Sequence, residues 1–195
     1  GVEVELSYKP LQRLIENTTN NEVGDPNFYI KNQDFSAIIP IGLTQIAIHS
    51  YSHNHESAEK ISRWDDLKGH KVGMLKGTLQ NYSFFLDKGI QFEQSYSHES
   101  LFKKLKLGRL DYVIELDLVA WQTIHYLFPS EEQFFESVGI IGQANAVAIL
   151  VSKDCEQGKV LKTQLRQALT DMIASGEYHK LLVKYYGNHS VPVDW

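Results

Sequence analysis

From Lys71 to Ile141 the chain switches repeatedly between two periodicities, and that switching restricts its architecture more than any other feature. Lys71 to Leu75, Gln91 to Tyr96, Tyr112 to Leu116 and Phe134 to Ile141 are short apolar or alternating runs, the pattern of strands. Between them lie stretches with apolar residues at helical spacing. The first, Thr78 to Lys88, is ended by Gly89. The second follows Ser97, a residue suited to an N-cap, carries Leu101, Phe102 and Leu105 on one side, and stops at Gly108. The third runs through Val119, Trp121 and Ile124. Repeated strand, helix, strand succession predicts an α/β fold with a mainly parallel sheet, because parallel neighbours need a crossover long enough to hold a helix.

The flanks read differently. Val2, Val4 and Leu6 alternate with Glu3, Glu5 and Ser7 as in a strand, and Pro10 opens a short helix with Leu11, Leu14 and Ile15 on one face. The chain therefore starts inside a strand pattern, with no signal peptide, and this opening reads as a cut. Gly24-Asp25-Pro26 is a turn. Phe35 to His49 is apolar but interrupted by Pro40 and Gly42, which predicts a strand, a kink and a second strand. Tyr51 to Lys60 is a polar connector. Ala144 to Val151 is a returning strand, and two helices follow. One carries Leu161, Leu165, Ala168, Leu169, Met172 and Ile173; the other carries Tyr178, Leu181, Leu182 and Tyr185.

Charge excludes some functions. A formal net charge of -5 over 195 residues, with a pI near 5.9, opposes a protein built to neutralise phosphates. The densest basic group, Lys103, Lys104, Lys106 and Arg109, reads as one solvated helix face. No nucleic-acid partner is expected. A single cysteine, Cys155, permits no intramolecular disulfide, and no His and Asn pattern supports it as a nucleophile. No apolar run approaches the ~20 residues of a membrane span, so no direct membrane insertion is expected of this chain.

Three stretches, in order, resemble the bacterial extracellular solute-binding proteins of the polar-amino-acid type. Trp64-Asp65-Asp66-Leu67-Lys68-Gly69-His70-Lys71-Val72-Gly73-Met74-Leu75-Lys76-Gly77-Thr78 is similar to the entry to that family's second lobe. Leu105-Lys106-Leu107-Gly108-Arg109-Leu110-Asp111-Tyr112-Val113-Ile114 is similar to its helix, Gly-Arg turn and cleft-floor strand. Met172 to Tyr178 with Lys184-Tyr185-Tyr186-Gly187 is similar to its ending. The resemblance implies a type II periplasmic-binding-protein fold of two α/β lobes joined by two crossover strands, with ligand in the cleft between them. Residues 1-50 then form the first part of lobe one, 51-145 lobe two, and 146-195 the rest of lobe one. The family's opening strand and helix are missing, so lobe one is incomplete. The reading leans on two half-sheets facing each other, and a single undivided sheet would count against it.

Site residues follow from the residues and the resemblance together. In Lys76-Gly77-Thr78-Leu79-Gln80 a strand passes through glycine into a helix start, where unpaired N–H groups attract a carboxylate, phosphate or polarised carbonyl. Thr78 is equally readable as a plain N-cap. Gln80 matches a ligand-contacting position of the family; Leu79 replaces its usual hydroxyl residue. Asn27 (beside Asp25 and Tyr29), Thr44, Glu115 and Asn145 are further binding candidates, each with a capped turn, a packed strand position or a hinge contact as its alternative. The family's carboxylate-gripping arginine should fall between Asp25 and Thr44, where there is none. Its ammonium-holding acid falls on Leu116. Glu115 and Asp117 flank that position, but adjacent strand residues point to opposite faces.

His49, His53 and His55 form a weak metal-ligand pattern in a connector; the expectation is no metal and no cofactor. The resemblance implies a non-catalytic, periplasmic or extracellular protein. Such a protein is expected to capture a small polar or anionic solute and hand it to a membrane permease for ABC-type uptake; Leu116 and the absence of an arginine between Asp25 and Thr44 argue against a standard free α-amino acid as that solute. A ligand-sensing domain of a membrane signalling protein is the first alternative. A dehydratase-like enzyme, with Glu115 as general acid, is the second.

Overall fold

The computed structural model describes residues 5, 21–24, 35–52, 59–76, 78 and 83–186. The expected first strand and helix, the apolar stretch at Phe28, and the tail carrying Trp195 lie outside those residues. Six strands are present among them: β1 (Glu22–Gly24), β2 (Phe35–Tyr51), β3 (Lys71–Leu75), β4 (Gln91–Ser95), β5 (Tyr112–Leu116) and β6 (Phe135–Ser152). The helices are α1 (Ser83–Asp87), α2 (His98–Lys106), α3 (Asp117–Leu127), α4 (Gly158–Ala174) and α5 (Glu177–Tyr186). Packing divides the chain into two units. One draws on the chain up to Leu43 and on Asn145–Tyr178, the other on Thr44–Ala144 and on the chain from His179.

The larger unit is the βα alternation made solid. β3 pairs in parallel with β4 and with β5, and β5 pairs antiparallel with β2 over Ile46 to His49. Alternation along these strands sorts side chains to two faces. Ile48, Val72, Met74, Tyr112 and Ile114 join Phe85 and Leu67 in one buried cluster. Val113 joins Leu101, Phe102, Leu105, Ala120, Trp121 and Ile124, from α2 and α3, in the other. Helix α2 begins as expected: the Ser100 amide donates to the Ser97 hydroxyl oxygen at 3.1 Å. It ends at Gly108, whose φ of 65° is the left-handed conformation that stops helices cleanly.

Two readings need correction. Phe35 to Tyr51 is one uninterrupted strand, not a strand, kink and strand. Its β5 ladder starts only at Ile46, so Pro40 lies where that edge of β2 has no β5 partner, and the missing N–H is tolerated. Phe135 to Ser152 is likewise a single strand, where two were expected. Gly142 absorbs the break with a φ of 75°, a glycine conformation common at bulges. Because both long strands run unbroken, the strands hydrogen-bond in the single order β1-β6-β2-β5-β3-β4. The order is continuous because β2 and β6 each run from one unit into the other, and the packing divides in two as a two-lobed fold requires.

In the smaller unit β1 pairs antiparallel with β6, and Ala37, Ile39 and Val151 form a small core with Leu161 and Leu165 of α4. The Ser36 hydroxyl bridges the carbonyls of Val151 and Ser152 at 3.1 Å each. The Tyr178 hydroxyl donates to the Ile41 carbonyl at 2.6 Å.

One glycine is fixed by contact rather than by conformation. A Cβ on Gly139 would stand 2.3 Å from the Ile61 carbonyl oxygen, a backbone atom that cannot swing away. The neighbouring Ile61 amide donates to Val138 at 2.8 Å and ties the two segments together. Gly139→Ala is therefore expected to destabilise the protein by at least about 2 kcal/mol, the cost of overpacking a tight contact. Urea unfolding of the variant checks this; an unchanged midpoint contradicts the packing described.

Candidate functional site

Because β3, β4 and β5 are parallel, their carboxyl ends lie on one edge of the larger unit. Ligands of open α/β sheets bind outside such edges. The loop after β3 begins with Lys76, whose amide donates to the Ser95 carbonyl at the end of β4 at 2.8 Å. Its ammonium lies 3.3 Å from the Tyr96 hydroxyl and 4.6 Å from that ring's centroid. Tyr96, 82% exposed, presents an open aromatic surface beside a cation. Thr78 is exposed, and its hydroxyl folds back to donate to the Leu75 carbonyl at 2.9 Å. Gly77, Leu79 and Gln80 lie outside the described residues, as does Asn27.

At the end of β5 the alternation of faces is decisive. Leu116 pairs with Ile46, and Glu115 with Ala47, so the two side chains leave the sheet on opposite sides. Glu115, 6% exposed, is on the side of Val113 and His49. Its Oε2 lies 3.1 Å from His98 Nε2, and its Oε1 accepts the Leu116 amide at 2.8 Å. The hydrogen bond to Glu115 raises the His98 pKa above its ordinary value, against the opposing effect of burial. Leu116, 37% exposed, offers no charge on its own face. Asp117 is buried and opens α3. Thr44 on β2 and Asn145 on β6 are both half-buried.

His49 departs from its expected place. It is not in a connector but inside β2, wholly buried, with its ring edge-on to Trp121 at 5.8 Å and Phe102 at 6.2 Å. Its Nε2 lies 3.7 Å from Asp117 Oδ1, beyond hydrogen-bond reach. Burial lowers its pKa to about 3, so the imidazole is neutral at ordinary pH. His53 and His55 are outside the described residues. Among those described, no three His, Cys, Asp or Glu side chains gather as a metal site.

Comparison with known proteins finds the same fold. The chain is 20% identical to an ancestral cationic amino acid solute binding protein, covering 95% of this chain and 79% of that one, with a TM-score of 0.69. Against an amino acid ABC transporter substrate-binding protein of Streptococcus pneumoniae, solved with L-arginine, identity is 23%, coverage 95% and 77%, and the TM-score 0.64. The fold is that of the type II periplasmic binding proteins. No family model matches the chain. A protein of Shewanella frigidimarina described as a sensor is 29% identical over 150 residues, which are 76% of this chain and 22% of that protein. The chain thus spans about a fifth of that relative's length.

In a type II binding protein β2 and β6 are the two crossover strands, and their length explains the undivided strand order. Thr44 and Asn145 sit on these crossovers. Sequence reasoning singled out Lys76, Thr78, Glu115, Thr44 and Asn145, but missed Tyr96. The signal available was its place directly after a strand and before the Ser97 cap. Among the described residues no helix is long and apolar enough to cross a membrane.

Proposed function

We propose that this chain is the solute-capturing part of an extracytoplasmic binding protein, which takes a small polar or anionic solute and delivers it to a membrane permease for ABC-type uptake. The observation that carries the reading is the common carboxyl edge of β3, β4 and β5, where Lys76, Thr78 and Tyr96 are exposed together. A cation beside an open aromatic face suits a carboxylate or a polar group better than an apolar ligand. Gly77 and Gln80 complete the proposed contact set on the strength of the family resemblance, with Thr44 and Asn145 on the crossover strands.

The solute is not a standard free α-amino acid. Holding its ammonium group needs an acid on the face of Leu116, and Glu115 is on the other face, engaged by His98. An ammonium buried without a partner costs several kcal/mol. The segment from Asp25 to Thr44 also contains no arginine to grip the α-carboxylate. The commitment of Glu115 to His98 supports a binding role over a dehydratase-like one, since a general acid must face its substrate.

A second reading, a ligand-sensing domain, is favoured by the likeness to the Shewanella protein described as a sensor. Both readings share the site and differ in what the gene encodes beyond this chain. The test is a thermal-shift screen of the full-length protein against organic anions, neutral polar solutes, small peptides and free amino acids. A ligand at about 100 times its Kd stabilises by roughly 2.7 kcal/mol, a plain rise in melting temperature. An organic anion or polar solute should give it, and Lys76→Gln should weaken binding of an anion. If no compound in the screen raises the melting temperature, the binding reading fails.

A further inference from the structure

Helix α2 starts directly after β4 and its Ser97 cap, with His98 as the first residue. The imidazole therefore begins at the carboxyl edge of the larger unit, two residues beyond Tyr96. There it meets Glu115 at the end of β5, with Nε2 3.1 Å from Oε2. In the sheet β3 lies between β5 and β4. A side chain that leaves the end of β4 and meets the end of β5 spans the carboxyl end of β3, from which Lys76 leads away.

The partner is held rigidly. Glu115 is buried, and its Oε1 accepts the Leu116 amide at 2.8 Å, so the carboxylate is not free to turn away. Its Oε2 is shielded from solvent, and among the described residues only His98 faces it. A buried carboxylate without a counter-charge is costly, which favours the charged form of the imidazole. The His98 pKa is raised accordingly, first by the hydrogen bond to Glu115, and no other charged group contributes. The remaining charges around the start of α2 are engaged elsewhere. Glu99 on the helix itself pairs with Lys103, and Glu93 of β4 pairs with Lys104. Asp117 of α3 lies beside the neutral His49 of β2, and Lys76, after β3, lies over the Tyr96 ring.

With Nε2 turned to Glu115, Nδ1 is the nitrogen left on the other side of a ring that is only half-buried. The two protonation states then differ in two ways. Protonated, the pair is neutral overall and Nδ1–H is a donor. Deprotonated, the ring keeps its proton on Nε2 for Glu115, Nδ1 donates nothing, and the pair carries one net negative charge beside Lys76. We infer that the solute of this edge is an anion, and that the imidazolium of His98, held by Glu115, donates to it and makes its capture pH-dependent. The inference rests on the solute-capturing reading and narrows it, since a neutral solute meets no repulsion when the proton leaves. Loss of a charge-assisted bond to an anion, with a repelling charge in its place, lowers affinity about tenfold as pH rises through the His98 pKa. By linkage, capture at a pH above that value takes up a proton.

The test is isothermal titration of the full-length protein at pH 6.5, 7.5 and 9 with acetate, malonate and succinate. Acetamide, malonamide and succinamide serve as neutral counterparts of the same shape. At least one anion should bind saturably, about tenfold more tightly at pH 6.5 than at pH 9. Its heat at the higher pH should vary with the ionisation enthalpy of the buffer, the sign of proton uptake. His98→Gln, at a half-buried position, should keep the fold and abolish both the pH dependence and the proton uptake. Glu115→Gln should instead move the pH dependence to lower pH. Equal affinity at pH 6.5 and 9, or an unchanged pH dependence in His98→Gln, would overturn the inference and leave the solute reading standing. So would saturable binding of the amides without the anions. Binding of none of the six would also overturn it, and the broader thermal-shift screen then judges the solute reading separately.

Discussion

Phe102→Ala is expected to lower the stability of the protein by about 3–5 kcal/mol, the cost of a large cavity in a core that cannot collapse. Phe102 has no solvent exposure and sits on the inner side of α2, among Leu101, Leu105, Val113, Trp121 and Phe135. Its ring meets those of Phe135 at 6.4 Å and His49 at 6.2 Å, so α2, β6 and β2 all lose a contact at once. For a chain of 195 residues the loss corresponds to a melting temperature lower by about 6–20 °C. The adjacent Lys103 is an internal control. It is exposed and paired only with Glu99 at 2.5 Å on the same helix, so Lys103→Ala should change stability by less than about 0.5 kcal/mol. Calorimetry on the two variants decides the matter; similar effects would mean that α2 does not carry the core.

The second large effect is acid lability centred on His49. Its folded pKa is about 3 against an ordinary 6.5, because burial penalises the charged ring. Between those values the unfolded chain binds a proton that the folded protein refuses. The stabilising contribution is therefore complete above about pH 6.5 and falls as pH drops toward 3. One proton gives a slope of about 1.4 kcal/mol per pH unit, or on the order of 3 kcal/mol by pH 4. Urea unfolding at pH 6, 5 and 4 should show that slope in the wild type and its loss in His49→Leu. Identical slopes in both proteins would contradict a neutral buried imidazole. His98 acts in the opposite sense. Its pKa is raised by Glu115, so its contribution is complete below its ordinary pKa and is lost as pH rises through the raised one. The His98 side chain is 37% exposed, and solvent screening makes that effect the smaller.

The elements that the sequence revealed are those whose order is local. β3, β4, β5, α2 and α3 each carry a complete apolar face and a stop signal within their own few residues, as Ser97 and Gly108 do for α2. Pro40 misled because its tolerance depends on a neighbour distant in the chain, an edge of β2 without a β5 partner. The opposition of Glu115 and Leu116 was legible from strand alternation alone, which needs no tertiary information. His49 was not, since a histidine within three residues of a polar connector carries no mark of being enclosed by Trp121 and Phe102. Tyr96 escaped for a related reason: an exposed aromatic acquires meaning only when a cation such as Lys76 is placed against it.

The claim on which the account turns is that the carboxyl edge of β3, β4 and β5 receives a polar or anionic solute and not a free amino acid. Isothermal titration of the full-length protein tests it most directly, with arginine, with glutamine, and with the organic anion that most raises the melting temperature. Saturable one-site binding of the anion, weakened in Lys76→Gln, with no heat from either amino acid, is the expected result. Saturable binding of arginine or glutamine, with none of the anion, would contradict it.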